Sequence, residues 1–272
     1  MKALYLEEGE NSFSDIIKIV YAHYQSMFPK KKPVIIGDKN PMYSLYMGKM
    51  LSIFPEAKCI YIVRDCRDHI LSVKKVGLIM QSTTITAFRW KRSLHFLEKI
   101  QKKYPERIFM IRYEDFVENA QEHLKRICGF LQIPYYSDVL EFYKHTEKMF
   151  EQYDREKLEL FHGSLLKPIN NNAVGKWRED MPVRDRKIAD YICGKTAGRY
   201  GYSHEFMGFM PGIFLYIFPR YLYMHIQAFV SSLIELLPFK ANMKIRNRKF
   251  ILTRIYWKMF RKDKYNSIIR NA

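Results

Sequence analysis

The stretch CIYIVRDCRD, residues 59–68, decides the fold of this 272-residue chain. Its first half is a continuous apolar run, which is typical of a strand buried on both faces of a parallel sheet. Its second half is charged and begins at Arg64, and a helical pattern runs from Asp68 to about residue 76. A strand that passes at once into a helix predicts an α/β fold, in which ligands bind beyond the carboxyl ends of the strands.

The same alternation continues on both sides of this stretch. Apolar runs at 34–37 and 108–111 predict two further strands. Helical periodicity is present in five other segments, 45–54, 83–104, 119–131, 136–150 and 183–199. The first of these follows Asn40-Pro41, an N-cap residue and a first-turn proline. The polar segment 151–176 predicts a long loop. We therefore predict an α/β body, residues 1–205, around a largely parallel sheet.

The net charge of +18, from 46 Lys and Arg against 28 Asp and Glu, is concentrated at the C-terminal end. Residues 240–272 hold eleven basic residues and one acidic residue, and 250–262 has a basic amphipathic pattern. The preceding segment, 206–239, is strongly apolar but lacks the roughly 20 uninterrupted apolar residues of a spanning helix. We expect 206–272 to be a helical appendage that attaches to an anionic membrane surface. The alternative for 250–262 is an ordinary helix docked on the body, and 206–239 could equally be a buried helical hairpin.

Other features of the sequence exclude several classes of protein. The four cysteines form no CxxC pair and the histidines show no metal-binding spacing, so we expect neither a disulfide scaffold nor a metal site. The acidic start carries no secretory signal, and we expect a cytoplasmic protein at the inner face of the membrane. Aromatic and basic residues do not interleave in the body, so nucleic acid is not an expected partner.

Arg64 is the first candidate for a functional residue, because it directly follows a predicted buried strand. Ser72 lies eight residues further on, in the next helix. A guanidinium and a hydroxyl near a helix N-terminus make a good anion site. The alternative, equally supported by residue types, is that the arginines of 64–68 pair with the aspartates there in a solvated network.

The other predicted strand ends and the long loop also carry polar side chains. Asp38 and Lys39 follow the run 34–37 and could supply a general base and a cation for a transferred anionic group. Taken alone, they are more typical of a helix cap and a solvated lysine. Arg112 and Tyr113 follow the run 108–111. Lys176 and Trp177 could close over a nucleotide by phosphate contact and stacking, although Trp177 taken alone is more typical of the core.

The order and spacing of four segments resemble the sulfotransferases that use 3′-phosphoadenosine 5′-phosphosulfate (PAPS). These segments are GDKNP (37–41), FPEAKCIYIVRDCRDHILS (54–72), PERIFMIRYEDFVENAQEHLKRICGFLQIP (105–134) and VGKWRED (174–180). The resemblance covers about residues 33–202. It implies an α/β fold around a parallel sheet, related to nucleotide kinases, with PAPS as the sulfate donor and no metal.

The resemblance also implies roles for residues at the donor site. Arg64 and Ser72 would hold the 3′-phosphate of the donor, and Tyr113 would lie against its adenine. Lys176 and Trp177 would belong to a loop that closes over the nucleotide.

At the acceptor, Asp38 would take the proton of a hydroxyl or amine, and Lys39 would stabilise charge on the leaving phosphate oxygen. Cys66 stands where the family usually has proline. The family's GxxRSGTT-like loop is missing before Asp38, so we expect an N-terminally truncated enzyme or a degenerate, non-catalytic homologue. The resemblance leaves the acceptor open, and the apolar tail favours a glycan or glycolipid.

Overall fold

A parallel pair of strands forms the sheet of the described part of the protein. The computed structural model describes residues 12–22, 35–75, 82–146 and 163–247. Within these ranges the sheet consists of β1 (Cys59–Val63) and β2 (Ile108–Arg112), with Cys59 opposite Ile108 and Val63 opposite Arg112. The predicted strands at 59–63 and 108–111 are therefore confirmed, together with their parallel pairing.

Helices connect and cover the strands. The α-helices of the described ranges are α1 (Phe13–Ala22), α2 (Met47–Ile53), α3 (Cys66–Lys75), α4 (Thr83–Lys103), α5 (Tyr113–Glu118), α6 (Ala120–Leu131), α7 (Trp177–Asp180), α8 (Val183–Arg199), α9 (Pro211–Glu235) and α10 (Phe239–Asn247). Shorter 3₁₀ helices span Pro41–Leu45, Pro105–Arg107, Ser137–His145 and Gly163–Leu166. Helices α3 and α4 lie between the two strands in the chain, as the crossover of a parallel pair requires.

Two sequence predictions differ from the observed elements. The predicted strand at 34–37 is described from Ile35 onward, and these residues are exposed and form no strand. An apolar run becomes a strand only where a neighbouring strand supplies hydrogen bonds, and the described sheet ends at β1 on this side. The predicted helix 136–150 is a 3₁₀ helix as far as His145, and residues 147–162 lie outside the described residues.

The core lies on one face of the sheet. Val63 is buried there, and Tyr61 packs against the same cluster. Helix α4 contributes Leu94 and Leu97 to this cluster, and α8 contributes two isoleucines. On the opposite face, Ile60 and Ile62 of β1 are exposed. The sequence predicted that β1 is buried on both faces. In the described part of the protein, one face of β1 is buried and the other is exposed.

Helix α9 packs along α4 and α8, and its Ile217 joins the main core cluster. It is one continuous helix of 25 residues with Pro219 inside it, so the predicted alternative of a hairpin within 206–239 is wrong. Proline can occupy a helix interior at the cost of one backbone hydrogen bond. No helix among the described residues has the combined length and apolar character to cross a bilayer.

Candidate active site

Arg64 lies directly beyond the carboxyl end of β1, where the sequence predicted an anion site. Its Nη2 donates a hydrogen bond to the carbonyl oxygen of Ala173 at 2.5 Å, and its guanidinium carbon lies 4.6 Å from the centre of the Tyr113 ring. Its Nε is buried and has no hydrogen-bond acceptor among the described residues. A buried donor without an acceptor costs about 1–3 kcal/mol, so this N–H is suited to an anionic ligand.

Arg112 is a second arginine at this edge of the sheet; the sequence predicted it at a strand end beside Tyr113 but assigned it no role. It is the last residue of β2 and lies opposite Val63 in the strand register. Its Nη1 is 3.7 Å from the carboxylate of Asp115, and its guanidinium carbon lies 4.7 Å from the centre of the Tyr202 ring. Its Nε is also buried without an acceptor among the described residues. Its position at the end of a predicted strand is confirmed by the structure.

Arg67 belongs to a buried ionic network rather than to a solvated one. Its Nη2 lies 2.7 Å from the carboxylate of Asp65, and its Nη1 lies 3.5 Å from that of Asp190 on α8. All three side chains are buried. The alternative that both arginines of 64–68 pair with neighbouring aspartates in solvent is therefore wrong, because Arg67 pairs in the core while Arg64 binds Ala173.

Asp68 holds the loop that precedes α7. Its Oδ2 accepts a hydrogen bond from the backbone N–H of Gly175 at 2.7 Å, and its Oδ1 accepts one from the N–H of Trp177 at 2.9 Å. Burial raises the pKa of this carboxyl, and the two N–H donors oppose that rise. Gly175 has a φ of 73°, in the region that favours glycine. The loop therefore has a fixed attachment to α3.

Trp177 and Lys176 are neighbours in this loop but face different surroundings. The Trp177 side chain is buried, with an exposure of 2%. The guanidinium carbons of Arg67 and Arg178 lie 3.5 Å and 4.5 Å from the centre of its ring. Its ring thus anchors the loop in the core. Lys176 is exposed, 3.7 Å from the carboxylate of Glu179. It borders an open depression of about 500 Å³.

Asp38 lies in a cluster with two tyrosines. Its Oδ2 accepts hydrogen bonds from the hydroxyl of Tyr21 on α1, at 2.6 Å, and from that of Tyr43. These two donors lower the pKa of Asp38. The hydrogen bond between Tyr21 and Asp38 also raises the pKa of Tyr21 to about 12. The side chain of Asn40, not that of Asp38, caps the following helix by accepting from the N–H of Met42.

The remaining predicted residues, Lys39 and Ser72, are exposed, and Ser72 is on α3. One turn before Ser72, His69 is half-buried. Burial and then the positive charge of Arg64 lower the pKa of His69 to about 4, so its imidazole is neutral near pH 7. The structure thus forms one cluster around Arg64, with Tyr113 and the loop before α7, and a second cluster around Asp38.

The chain belongs to the sulfotransferase family. The sequence profile of that family matches residues 2–138, about half of the chain. The matched range contains Asp38, Arg64, Ser72 and Tyr113. It ends before the loop that carries Lys176.

Two relatives and one solved structure are similar to parts of this chain. The protein-tyrosine sulfotransferase of Drosophila melanogaster is 28% identical over 166 residues, 54% of this chain and 31% of the relative. Protein-tyrosine sulfotransferase 1 of Danio rerio is 24% identical over 174 residues, 61% of this chain and 48% of the relative. This chain therefore spans a third to a half of the length of these two relatives. A sulfotransferase domain from the curacin biosynthetic pathway is 23% identical with a TM-score of 0.42, covering 61% of this chain and 62% of that chain.

Proposed function

We propose that this protein transfers the sulfuryl group of PAPS to an acceptor hydroxyl or amine. One observation carries the proposal: the buried, unpartnered Nε of Arg64 at the end of a parallel strand, in a chain of the sulfotransferase family. An arginine in this position can bind the 3′-phosphate of the donor with charge-assisted hydrogen bonds. Ser72, exposed on the helix that follows, adds a hydroxyl to the same phosphate.

The surroundings of Arg64 suit a nucleotide. Tyr113 presents a ring that the adenine can lie against, and its contact with Arg64 keeps the two side chains together. Arg112 offers a second unpartnered N–H at the same sheet edge. Lys176, exposed beside the open depression, can reach a bound phosphate, while the buried Trp177 holds the loop in place.

Asp38 is the proton acceptor in this proposal. Because its pKa is lowered by Tyr21 and Tyr43, its carboxylate is ionised throughout the neutral range. It takes the proton from the acceptor as the acceptor oxygen or nitrogen forms a bond to sulfur. The bond between sulfur and the phosphate oxygen breaks, and the leaving 3′-phosphoadenosine 5′-phosphate keeps the electron pair. Lys39 stabilises that negative charge.

Two classes of acceptor fit this site. A glycan or glycolipid is favoured by the apolar C-terminal segment, which suits a substrate at a membrane surface. A phenol is favoured by the contacts of Asp38, because two phenolic hydroxyls, those of Tyr21 and Tyr43, already donate to its carboxylate. The names of the Drosophila and Danio relatives, protein-tyrosine sulfotransferases, point to the same class.

The experiment is an acceptor panel with purified protein and PAPS. Tyrosine peptides, oligosaccharides and glycolipids are incubated separately, and mass spectrometry detects the gain of one sulfuryl group. We expect transfer to one of these classes and equal release of 3′-phosphoadenosine 5′-phosphate. If the nucleotide binds but no acceptor is sulfated, the non-catalytic homologue is the better description. If the nucleotide does not bind, the donor site is wrong.

The acid limb of the pH–rate profile tests the role of Asp38. We expect Tyr21→Phe and Tyr43→Phe each to move this limb to higher pH, because each removes a hydrogen bond that lowers the pKa of Asp38. The rate well above the limb should change little. The measurement is kcat/KM against pH, with Tyr136→Phe, an exposed tyrosine, as the control. An acid limb that stays in place in both variants contradicts Asp38 as the base.

We further propose that α9 attaches the protein to an anionic membrane surface on its cytoplasmic side. One face of α9 packs on the body through Ile217 and Met224. The opposite face carries six exposed apolar side chains, and exposed Leu236 directly follows the helix. These seven residues are the apolar stripe: Leu215, Phe218, Leu222, Ile226, Phe229, Leu233 and Leu236. Their spacing of three or four residues places them in one line along the helix.

The charges around the apolar stripe support a lipid surface as its partner. Lys240 and Lys244 are exposed on α10, which follows α9. Arg184 lies over the ring of Tyr216, at 5.1 Å, beside the stripe. From 206 to 247, Glu235 is the single acidic residue. An apolar face with basic neighbours is the composition of helices that lie in the interface of anionic bilayers.

Vesicle co-sedimentation tests this attachment. We expect Leu222→Ser/Phe229→Ser to weaken binding to phosphatidylserine-containing vesicles at least about tenfold, because each exposed apolar side chain contributes on the order of 1.5–3 kcal/mol when buried. The control is Tyr136→Ser/Val139→Ser, an equally exposed apolar pair elsewhere. Equal loss in both proteins contradicts the proposal. A second result would also contradict the proposal: the wild-type protein is a dimer in lipid-free solution, and Leu222→Ser/Phe229→Ser is a monomer. In that case the apolar stripe binds a second copy of the chain.

A further inference from the structure

Cys66 and Cys193 bring two thiols together in the core. Cys66 is the first residue of α3 and Cys193 lies in the middle of α8, 127 positions apart in the sequence. Their sulfur atoms are 3.0 Å apart. That distance is shorter than the roughly 3.5–4.0 Å at which carbon atoms make van der Waals contact, although sulfur is the larger atom. The packing of the two helices thus holds the sulfur atoms close to bonding distance.

Both side chains are shielded from solvent, with exposures of 3% and 1%. Burial, together with the neighbouring thiol, raises the pKa of the Cys66 thiol well above its usual range. A buried thiol reacts slowly with reagents in solution, because the thiolate is the reactive form. A bond between these sulfur atoms would therefore form while the chain folds or opens transiently, and it would then be protected.

We propose that Cys66 and Cys193 form a disulfide when the protein folds in the presence of a low-molecular-weight disulfide such as glutathione disulfide. The two thiols lose two protons and two electrons and one sulfur–sulfur bond forms. Glutathione disulfide accepts the two electrons and the two protons and is cleaved to two molecules of glutathione, through a mixed disulfide. The sulfur atoms need to approach by about 1 Å to reach the usual bond length of about 2.05 Å.

The bond would reinforce a contact that supports the candidate active site. Arg67 and Asp68 follow Cys66 directly, and they hold Trp177 and the loop before α7. Arg67 also reaches Asp190, three residues before Cys193 on α8. A disulfide at this point ties the first turn of α3 to α8 covalently. The proposal does not depend on the sulfuryl transfer proposed above, and its test measures no activity.

Peptide mapping of the full chain tests the proposal. The protein is incubated with glutathione disulfide in dilute urea, where it opens transiently, and free thiols are then alkylated and the chain is digested with trypsin without reductant. Each cysteine falls in a separate tryptic peptide. We expect peptide 65–67 linked to peptide 188–195, and the peptides of Cys59 and Cys128 alkylated. Alkylation of all four cysteines, or glutathione on Cys66 and Cys193 without the link, overturns the proposal.

Thermal unfolding gives a second measurement. We expect the oxidised protein to unfold roughly 5–10 °C above the reduced protein, because the bond closes a long loop in the unfolded chain. Cys128→Ser, at a half-buried thiol, should keep this difference. Cys193→Ser should abolish it. Equal unfolding temperatures for oxidised and reduced wild-type protein contradict a bond that fits the native packing.

Discussion

Replacing Arg64 with alanine is expected to weaken the binding of 3′-phosphoadenosine 5′-phosphate about 10–100-fold, the equivalent of one or two charge-assisted hydrogen bonds. The Nε of Arg64 is already buried, and among the described residues it has no acceptor. A bound phosphate therefore accepts a hydrogen bond from this N–H, which otherwise has no acceptor in the described part of the chain. No ion pair of Arg64 Nε with a described residue has to break first. Isothermal titration calorimetry on both proteins measures the difference, and Ser72→Ala should give a smaller loss in the same direction.

Arg126→Ala is the matched control for this measurement. Arg126 is an exposed arginine on α6, 5.8 Å from the ring of Phe109. Its removal changes the net charge by the same amount as Arg64→Ala but leaves the end of β1 intact. Equal affinities for the two variants, with both correctly folded, would show that the nucleotide is attracted by overall charge rather than held by Arg64.

Replacing Arg67 with alanine should lower the free energy of unfolding by about 3–5 kcal/mol, the usual cost of removing one partner from a buried ion pair. Asp65 and Asp190 would then remain in the core as carboxylates without a cation between them. Trp177 would also lose the guanidinium that covers its ring at 3.5 Å. Urea denaturation followed by circular dichroism measures the change.

Arg178→Ala separates the ionic contribution from ring stacking. The guanidinium carbon of Arg178 also lies over the Trp177 ring, 4.5 Å from its centre, but the Arg178 side chain is exposed. Its loss should cost no more than about 1 kcal/mol, the range of an exposed cation–π contact. If Arg67→Ala and Arg178→Ala lower the free energy of unfolding by the same amount, the buried ion pairs of Arg67 do not stabilise the fold.

Much of the fold was predictable from local pattern. Continuous apolar runs identified β1 and β2, and helical periodicity identified α4 and α8. The prediction was wrong at 34–37, because strand formation depends on a neighbouring strand and not on the run itself. Helix α5 was missed since its six residues, Tyr113–Glu118, follow β2 without any linker.

The candidate site was predictable where it depends on position along a strand. Arg64 and Tyr113 were selected because each follows a predicted strand, and they are in contact. Sequence alone could not separate Arg64 from Arg67, because the second carboxylate of Arg67 comes from Asp190, far along the chain. Sequence alone also could not predict the hydrogen bond between Asp38 and Tyr21, because folding brings these two residues together.

The central claim is that Arg64 marks a site for the 3′-phosphate of the sulfate donor. The most direct measurement compares the affinity of the wild-type protein for 3′-phosphoadenosine 5′-phosphate and for adenosine 5′-monophosphate, which differ only in that phosphate. We expect the first nucleotide to bind at least about tenfold more tightly, since the 3′-phosphate adds at least one charge-assisted hydrogen bond. We also expect Arg64→Ala to remove most of this difference. Equal affinity of the wild-type protein for the two nucleotides would contradict the claim.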